Sequence, residues 1–138
     1  MKYLVDTSAL VRMLRRQVDP HWSDLAARGM IAVCDPVLVE VLTIADAKAY
    51  EQVEGGLRDL YPWVPVPDDA WRVVRAVRTE LASHSAHQGV SVADHLVIAT
   101  AIRLKLTVLH QDADFETAAR FVPQLAQERI AQGCCVVG

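Results

Sequence analysis

Five carboxylates in this 138-residue chain stand where local structure could bring them together. Asp6 ends the apolar run Tyr3-Leu4-Val5 and precedes Thr7-Ser8. Glu40 lies one turn inside an apolar-striped segment, between Val37 and Ile44, on the flank of that stripe. Asp94 closes Ser91-Val92-Ala93-Asp94, just ahead of a long apolar segment. Asp112 and Asp114 alternate directly after Thr107-Val108-Leu109-His110. Carboxylates gathered at one rim repel unless divalent cations hold them. Hard oxygen donors without a histidine or cysteine cluster select Mg²⁺ or Mn²⁺ over zinc or copper. Such a site suits phosphodiester hydrolysis, because the ion acidifies an attacking water and neutralises charge on the phosphate.

Taken one at a time, each acid also has a purely structural account. Asp6 can cap a helix, although Thr7 or Ser8 could do so alone. Glu40 can snorkel to solvent or pair with an arginine. Asp94 fits a capping box with Ser91, and one of Asp112 and Asp114 can cap the next helix. The cap reading leaves a cost at Asp94: it opens an apolar helix whose first turn lies near the interior, where an isolated carboxylate is expensive. One metal site explains all of these positions with a single cause.

The elements that must position the acids follow from pattern. Tyr3 to Val5 and Thr107 to Leu109 read as buried strands, and Met30 to Cys34 as another. A helix is expected from Thr7 to about Arg16. Asp35-Pro36 supplies an N-cap and first-turn pair for a helix with Val37, Leu38, Val41, Leu42 and Ala45 on one stripe. Residues 48–60 form a helix weakened by Gly55-Gly56, and the proline-rich stretch 61–67 holds only a short extended segment. Asp68 caps a helix to about His84, residues 83–89 are a loop, Ser91 opens a helix to about Leu104, and a helix begins at Asp112 or Ala113. Cys134 to Val137 reads as a final strand. Apolar strands alternating with helices predict an α/β fold, a three-layer α/β/α sandwich around a central parallel sheet. Ligands of such sheets bind beyond the carboxyl ends of the strands, where Asp6 and Asp112 fall.

Composition narrows the class. The hydrophobic fraction is 52% and the charged fraction 22%, enough for a buried core and unlike a disordered tail. No repeat or Gly/Ser linker divides the chain, so residues 1–138 read as one domain. Fourteen basic against 17 acidic residues gives a net charge of -3, which argues against a strongly basic duplex-binding face. Setting aside Asp6, Glu40, Asp94 and Asp112 leaves 13 acids against those 14, so an RNA substrate meets no general electrostatic objection. No apolar run approaches the length of a membrane span. Three cysteines, Cys34, Cys134 and Cys135, without metal-ligand spacing suggest a reduced, cytoplasmic protein. The five histidines lack an H-E-x-x-H pattern. Arg12, Arg15 and Arg16 sit three and four residues apart after Asp6 and are candidate phosphate contacts, a solvated helix face being the competing account.

In these motifs the chain resembles the PIN domain, and within it the VapC-type toxin ribonucleases of prokaryotic toxin–antitoxin pairs. The resemblance rests on Val5-Asp6-Thr7-Ser8-Ala9-Leu10, Glu40, Ser91-Val92-Ala93-Asp94 before Leu96-Val97-Ile98-Ala99-Thr100-Ala101, and Val108-Leu109-His110-Gln111-Asp112-Ala113-Asp114-Phe115, in that order. Spacings of 34, 54 and 18 residues separate Asp6, Glu40, Asp94 and Asp112. It implies a Mg²⁺- or Mn²⁺-dependent endoribonuclease held inactive by a VapB-type antitoxin and usually dimeric. By the same resemblance, Asp6, Asp94 and Asp112 are metal ligands, Glu40 completes the catalytic acids, and Asp114 is auxiliary. Thr7 or Ser8 orients Asp6 or a water. His110 departs from the pattern, since relatives often carry Thr or Ser there. Antitoxin docking is one account of the broad apolar stripes over residues 36–60, and core packing is the other. Readings of another class are a receiver-like regulatory domain, which lacks here the paired acids of a first strand and a lysine after the last, and a catalytically silent interaction module.

Overall fold

Four short strands lie side by side in the order β2-β1-β3-β4, all parallel, in the computed structural model, which describes residues 1–131. They are β1 (Tyr3–Val5), β2 (Ile31–Ala32), β3 (Thr107–His110) and β4 (Ala126–Arg129). The helices are α1 (Thr7–Leu14), α2 (Pro20–Ala27), α3 (Asp35–Thr43), α4 (Tyr50–Leu60), α5 (Ala70–Ser83), α6 (Val92–Leu104) and α7 (Ala113–Phe121). They flank the sheet, as the alternation of strands and helices predicts. Tyr3, Leu4, Val5, Val108 and Leu109 are buried, and Leu10, Val37, Leu38, Val41, Ile98 and Phe115 bring the helices onto them. Complete burial of one such side chain contributes about 1.5–3 kcal/mol.

Register places the site. Tyr3 pairs with Thr107 and Val5 with Leu109, so β1 and β3 run out at the same end of the sheet. The Asp6 amide continues that ladder by donating to the Leu109 carbonyl at 3.0 Å. Asp6 and the turn after His110 are therefore neighbours on one rim, although more than a hundred residues separate them. Helix α6 packs against α3, α5 and β3, which accounts for its apolar character nearly all round. Ser91 caps it, accepting from the Asp94 amide at 3.1 Å.

Several boundaries differ from expectation. Helix α1 stops at Leu14; Arg15 is its C-cap and Arg16 is left-handed at φ 56°. The helix expected to open with Asp35 as cap has Cys34 at that position, and the Asp35 carboxylate instead accepts from the Trp63 indole at 3.0 Å. That helix ends at Thr43, leaving Ala45 beyond it. Asp68 does not cap α5: Asp69 precedes the helix, and its carboxylate is taken by Arg103. Helix α2 opens at Asp19-Pro20 and was not anticipated, its eight residues carrying little amphipathic contrast. Strand β4 is Ala-Gln-Glu-Arg, too polar to announce itself. The strand expected at 134–137 lies outside the described residues. The extended segment in 61–67 is present, with Val33 bridged to Trp63 alongside β2. Among the described residues, no helix is long and apolar enough to cross a membrane.

Candidate metal centre

Asp6 is 3% exposed at the carboxyl end of β1. Its Oδ1 accepts from the Ala9 amide at 2.9 Å, so it caps α1. The Ser8 hydroxyl sits against both Asp6 oxygens, at 2.8 and 2.9 Å, and also accepts from the Gln111 amide at 2.9 Å. One side chain thus ties the start of α1 to the turn that carries Asp112. That turn starts α7 in the same way: Asp112 Oδ1 accepts from the Asp114 amide at 2.9 Å. Capping and ligation are compatible, because a carboxylate has about four acceptor positions and the cap occupies one.

One oxygen each from Asp94, Asp112 and Asp114 lie within 4.8 Å of one another, and all three residues are half-buried. Val90, Ile98 and Phe115 wall the crevice beside Asp94 and Asp114. Burial pushes Asp6 up to about 6, against hydrogen bonds from Ala9 and Ser8 that pull it down, with the charge of Asp112 adding to the rise. Asp94 is also pushed up to about 6, chiefly by burial, opposed by hydrogen bonds from Ser91 and reinforced by Asp6 and Asp112. Asp114 is raised by burial and then by Asp112. These mutual effects put Asp6, Asp94 and Asp112 in one electrostatic group. The ion pairs seen among the described residues end on other acids than Asp6, Asp94 and Asp114, while the Arg129 guanidinium, paired with Glu116, also feels the charge of Asp112. An all-carboxylate donor set of this closeness fits a hard divalent cation.

Comparison with known proteins agrees with that chemistry. The family model of the PIN domain matches residues 3–121. The chain belongs to the PIN domain family. Among curated PIN-domain relatives, Ribonuclease VapC6 of Mycobacterium tuberculosis is 36% identical over 106 residues, covering 76% of this chain and 84% of that protein. Ribonuclease VapC21 of the same species is 28% identical over 133 residues, 96% of each. Among solved structures, DNA-bound VapBC from Salmonella typhimurium superposes with a TM-score of 0.77 at 17% identity, covering 95% of this chain and 99% of that one. VapBC2 from Rickettsia felis, bound to a promoter DNA fragment, gives 0.71 at 21% identity, covering 94% and 98%. PIN membership replaces the receiver-like alternative.

The remaining candidates fall at different distances from this PIN-domain rim. Glu40 is exposed on α3, not on the flank of its apolar stripe, yet the Thr7 hydroxyl donates to its Oε1 at 2.5 Å and ties it to the residue after Asp6. Asp114, given only an auxiliary place by its motif, belongs to the tightest cluster. Arg12 is half-buried in the last turn of α1, whereas Arg15 and Arg16 are exposed beyond it. The end of α1 therefore breaks the single helical face expected of the three arginines. Gly89 escaped the motifs, and His110 entered them only as a departure from the pattern. A Cβ built on Gly89 would fall 2.7 Å from Asp114 Oδ1, so glycine leaves the space this carboxylate fills. His110 is fully buried beside Asp112. A cavity of about 500 Å³ between α5, α6 and α7 shares no residue with the acids.

Proposed function

We propose that this chain is a VapC-type toxin: a metal-dependent endoribonuclease of the PIN family, acting as one nuclease domain over its 138 residues and neutralised by a cognate VapB-type antitoxin. The observation that carries the reading is the close group of Asp94, Asp112 and Asp114 with Asp6 beside it at the carboxyl rim of the sheet. The relatives named as VapC ribonucleases support RNA as the substrate, and the VapBC complexes among the structural neighbours support a protein antitoxin.

Asp6, Asp94 and Asp112 are the proposed metal ligands, with Asp114 able to replace or supplement one of them and Glu40 completing the catalytic acids. Bound Mg²⁺ or Mn²⁺ supplies acidification of the attacking water and charge neutralisation at the scissile phosphate. The chain's own contribution is arrangement. Ser8 holds Asp6 and the Asp112 turn together, and Thr7 holds Glu40 at the open side of the rim. Val90, Ile98 and Phe115 exclude water behind the carboxylates, which strengthens every electrostatic interaction in front of them. Arg12, Arg15 and Arg16 are proposed to meet the RNA backbone as separate contacts.

Val39, Ile44, Leu60 and Trp63 are each 46–67% exposed on or next to α3 and α4. Leu38, Leu42 and Tyr50 line a groove between the same two helices. This apolar surface is the proposed antitoxin seat. A cytoplasmic site of action and a homodimer complete the proposal. The protein freed of antitoxin should cleave RNA with Mg²⁺ or Mn²⁺ and stop on addition of EDTA. Cleavage that survives both Asp6→Ala and Asp94→Ala would sink the assignment.

A further inference from the structure

We infer that His110 is a positioning residue for Asp112, its ring locked by Gln127 so that it receives the Asp112 amide and sets the turn carrying that carboxylate. The inference rests on the proposed metal site. The Asp112 amide lies 3.1 Å from His110 Nδ1, and Gln127 Oε1 lies 2.7 Å from His110 Nε2. An amide N–H can only donate to an unprotonated ring nitrogen, so Nδ1 carries the lone pair and Nε2 the proton. Nε2–H then donates to Gln127, and one proton arrangement satisfies both contacts.

Burial and stacking hold the ring, and strand pairing fixes the backbone that carries it. His110 is 0% exposed and stacks on Phe115 at 5.1 Å between centroids and 30° between planes. Its carbonyl accepts from the Ile130 amide at 2.8 Å, and its backbone pairs in register with Arg129 of β4. Two consecutive amides of the turn are therefore claimed by side chains: Gln111 by Ser8 and Asp112 by His110. With both fixed, Asp112 holds an extended backbone (φ -143°, ψ 121°) from which its carboxylate caps α7 and joins Asp94 and Asp114. A packing role alone would need neither ring nitrogen. Groups bonded behind a metal ligand set its orientation, and losing one typically costs about 10–100-fold in metal affinity.

Two substitutions of similar polarity separate the two ring contacts. His110→Asn keeps an oxygen where Nδ1 sits and loses Gln127. His110→Gln keeps an amide near the Nε2 position and leaves a methylene facing the Asp112 amide. Exchange of the Asp112 amide in metal-free protein, followed by NMR, should be as slow in His110→Asn as in the unsubstituted chain and at least about tenfold faster in His110→Gln. Calorimetric titration with Mn²⁺ should find Asn within about threefold of the unsubstituted affinity and Gln weakened by about 10–100-fold. The inference is overturned if the Gln variant matches the unsubstituted chain in amide exchange, or if both variants lose Mn²⁺ affinity equally and in step with their melting temperatures. Should the unsubstituted chain bind Mn²⁺ no better than Asp94→Asn, the metal-site reading fails instead, and the amide-exchange contrast alone decides the role of His110.

Discussion

Asp94 and Asp69 are the same side chain near the start of two helices, α6 and α5, that pack against each other, and the fold treats them in opposite ways. Arg103 forks onto Asp69 and holds its carboxyl below the ordinary range. Glu116 is treated like Asp69, gripped by Arg129 at 2.7 and 2.9 Å and likewise lowered. At the rim, Asp94 and Asp6 face each other and Asp112, with only hydroxyl and amide donors in contact, and both are pushed up to about 6. Matched carboxylates hold elements together. Unmatched ones are charge that the fold leaves for something else to neutralise.

Replacing Asp94 by Asn should separate the two regions most strongly. Cleavage of RNA in Mn²⁺ should fall by about 10³-fold or more, the several kcal/mol expected when a metal ligand is removed. In EDTA the same variant should melt no lower than the unsubstituted chain, because one of several mutually repelling charges is gone. Activity near the original level would dissolve the distinction between rim and ion pair.

The pH dependence of folding should have opposite signs in the two regions. Asp6 and Asp94 titrate near 6 in the folded protein and near 3.8 when unfolded, so between those values the native state binds more protons. Stability of the metal-free protein should therefore fall as pH rises from about 4 to about 6 and level off above, by on the order of 3 kcal/mol for buried Asp6. Asp69 and Glu116 are lowered, so their smaller contribution is present above the unfolded value and is lost as pH falls. Chemical denaturation in EDTA across pH 4 to 7 measures the sum. Asp6→Asn should flatten the decline, and saturating Mn²⁺ should offset it by mass action on the native state. A curve that rises with pH in metal-free protein would mean the rim acids are neutralised from within.

Ser8 tests whether the rim must be tied as well as charged. Ser8→Ala removes the donor to Asp6 and the acceptor of the Gln111 amide, a loss of about 1–3 kcal/mol for a part-buried bond to a charged group. Mn²⁺ affinity should drop by about tenfold while the acids remain. An unchanged titration would show that the α1 terminus alone fixes Asp6.

Much of this arrangement was legible in the residues, and the failures have physical reasons. β1, β3 and α6 announce themselves because burial on all sides demands apolar runs, and Asp6, Asp94 and Asp112 punctuate those runs. Each of those acids also serves, or belongs to, a helix cap, and at Asp6 and Asp112 the cap occupies one acceptor position and leaves others free. Asp114 could not be ranked from its motif, because its closeness to Asp94 is a tertiary fact made possible by Gly89. Glu40 was expected beside the core, but its place is set by Thr7. β4 has no apolar pattern because its side chains meet polar partners, Gln127 the His110 ring and Arg129 the Glu116 carboxylate. His110 read as a departure from the family pattern, since only the fold shows that one of its nitrogens meets Gln127 on the partner strand and the other the Asp112 amide.

The smallest effect belongs to the matched pair itself. Asp69 and Arg103 are each more than a third exposed, so solvent and salt screen their attraction and two side chains lose freedom to form it. Asp69→Asn should leave RNA cleavage and Mn²⁺ affinity unchanged, with a slight fall in melting temperature that vanishes in high salt. The Arg103→Met variant should behave alike, and the double variant should be no worse than either single one, because either substitution alone already removes the pair. The comparison turns on this null result. Proximity to α6 is shared by Asp69 and Asp94, so a loss of cleavage in Asp69→Asn would mean that displacing the helix, not removing a rim carboxylate, is what disables the protein. If cleavage holds here and collapses in Asp94→Asn, the difference lies in which charge the fold leaves unpaired.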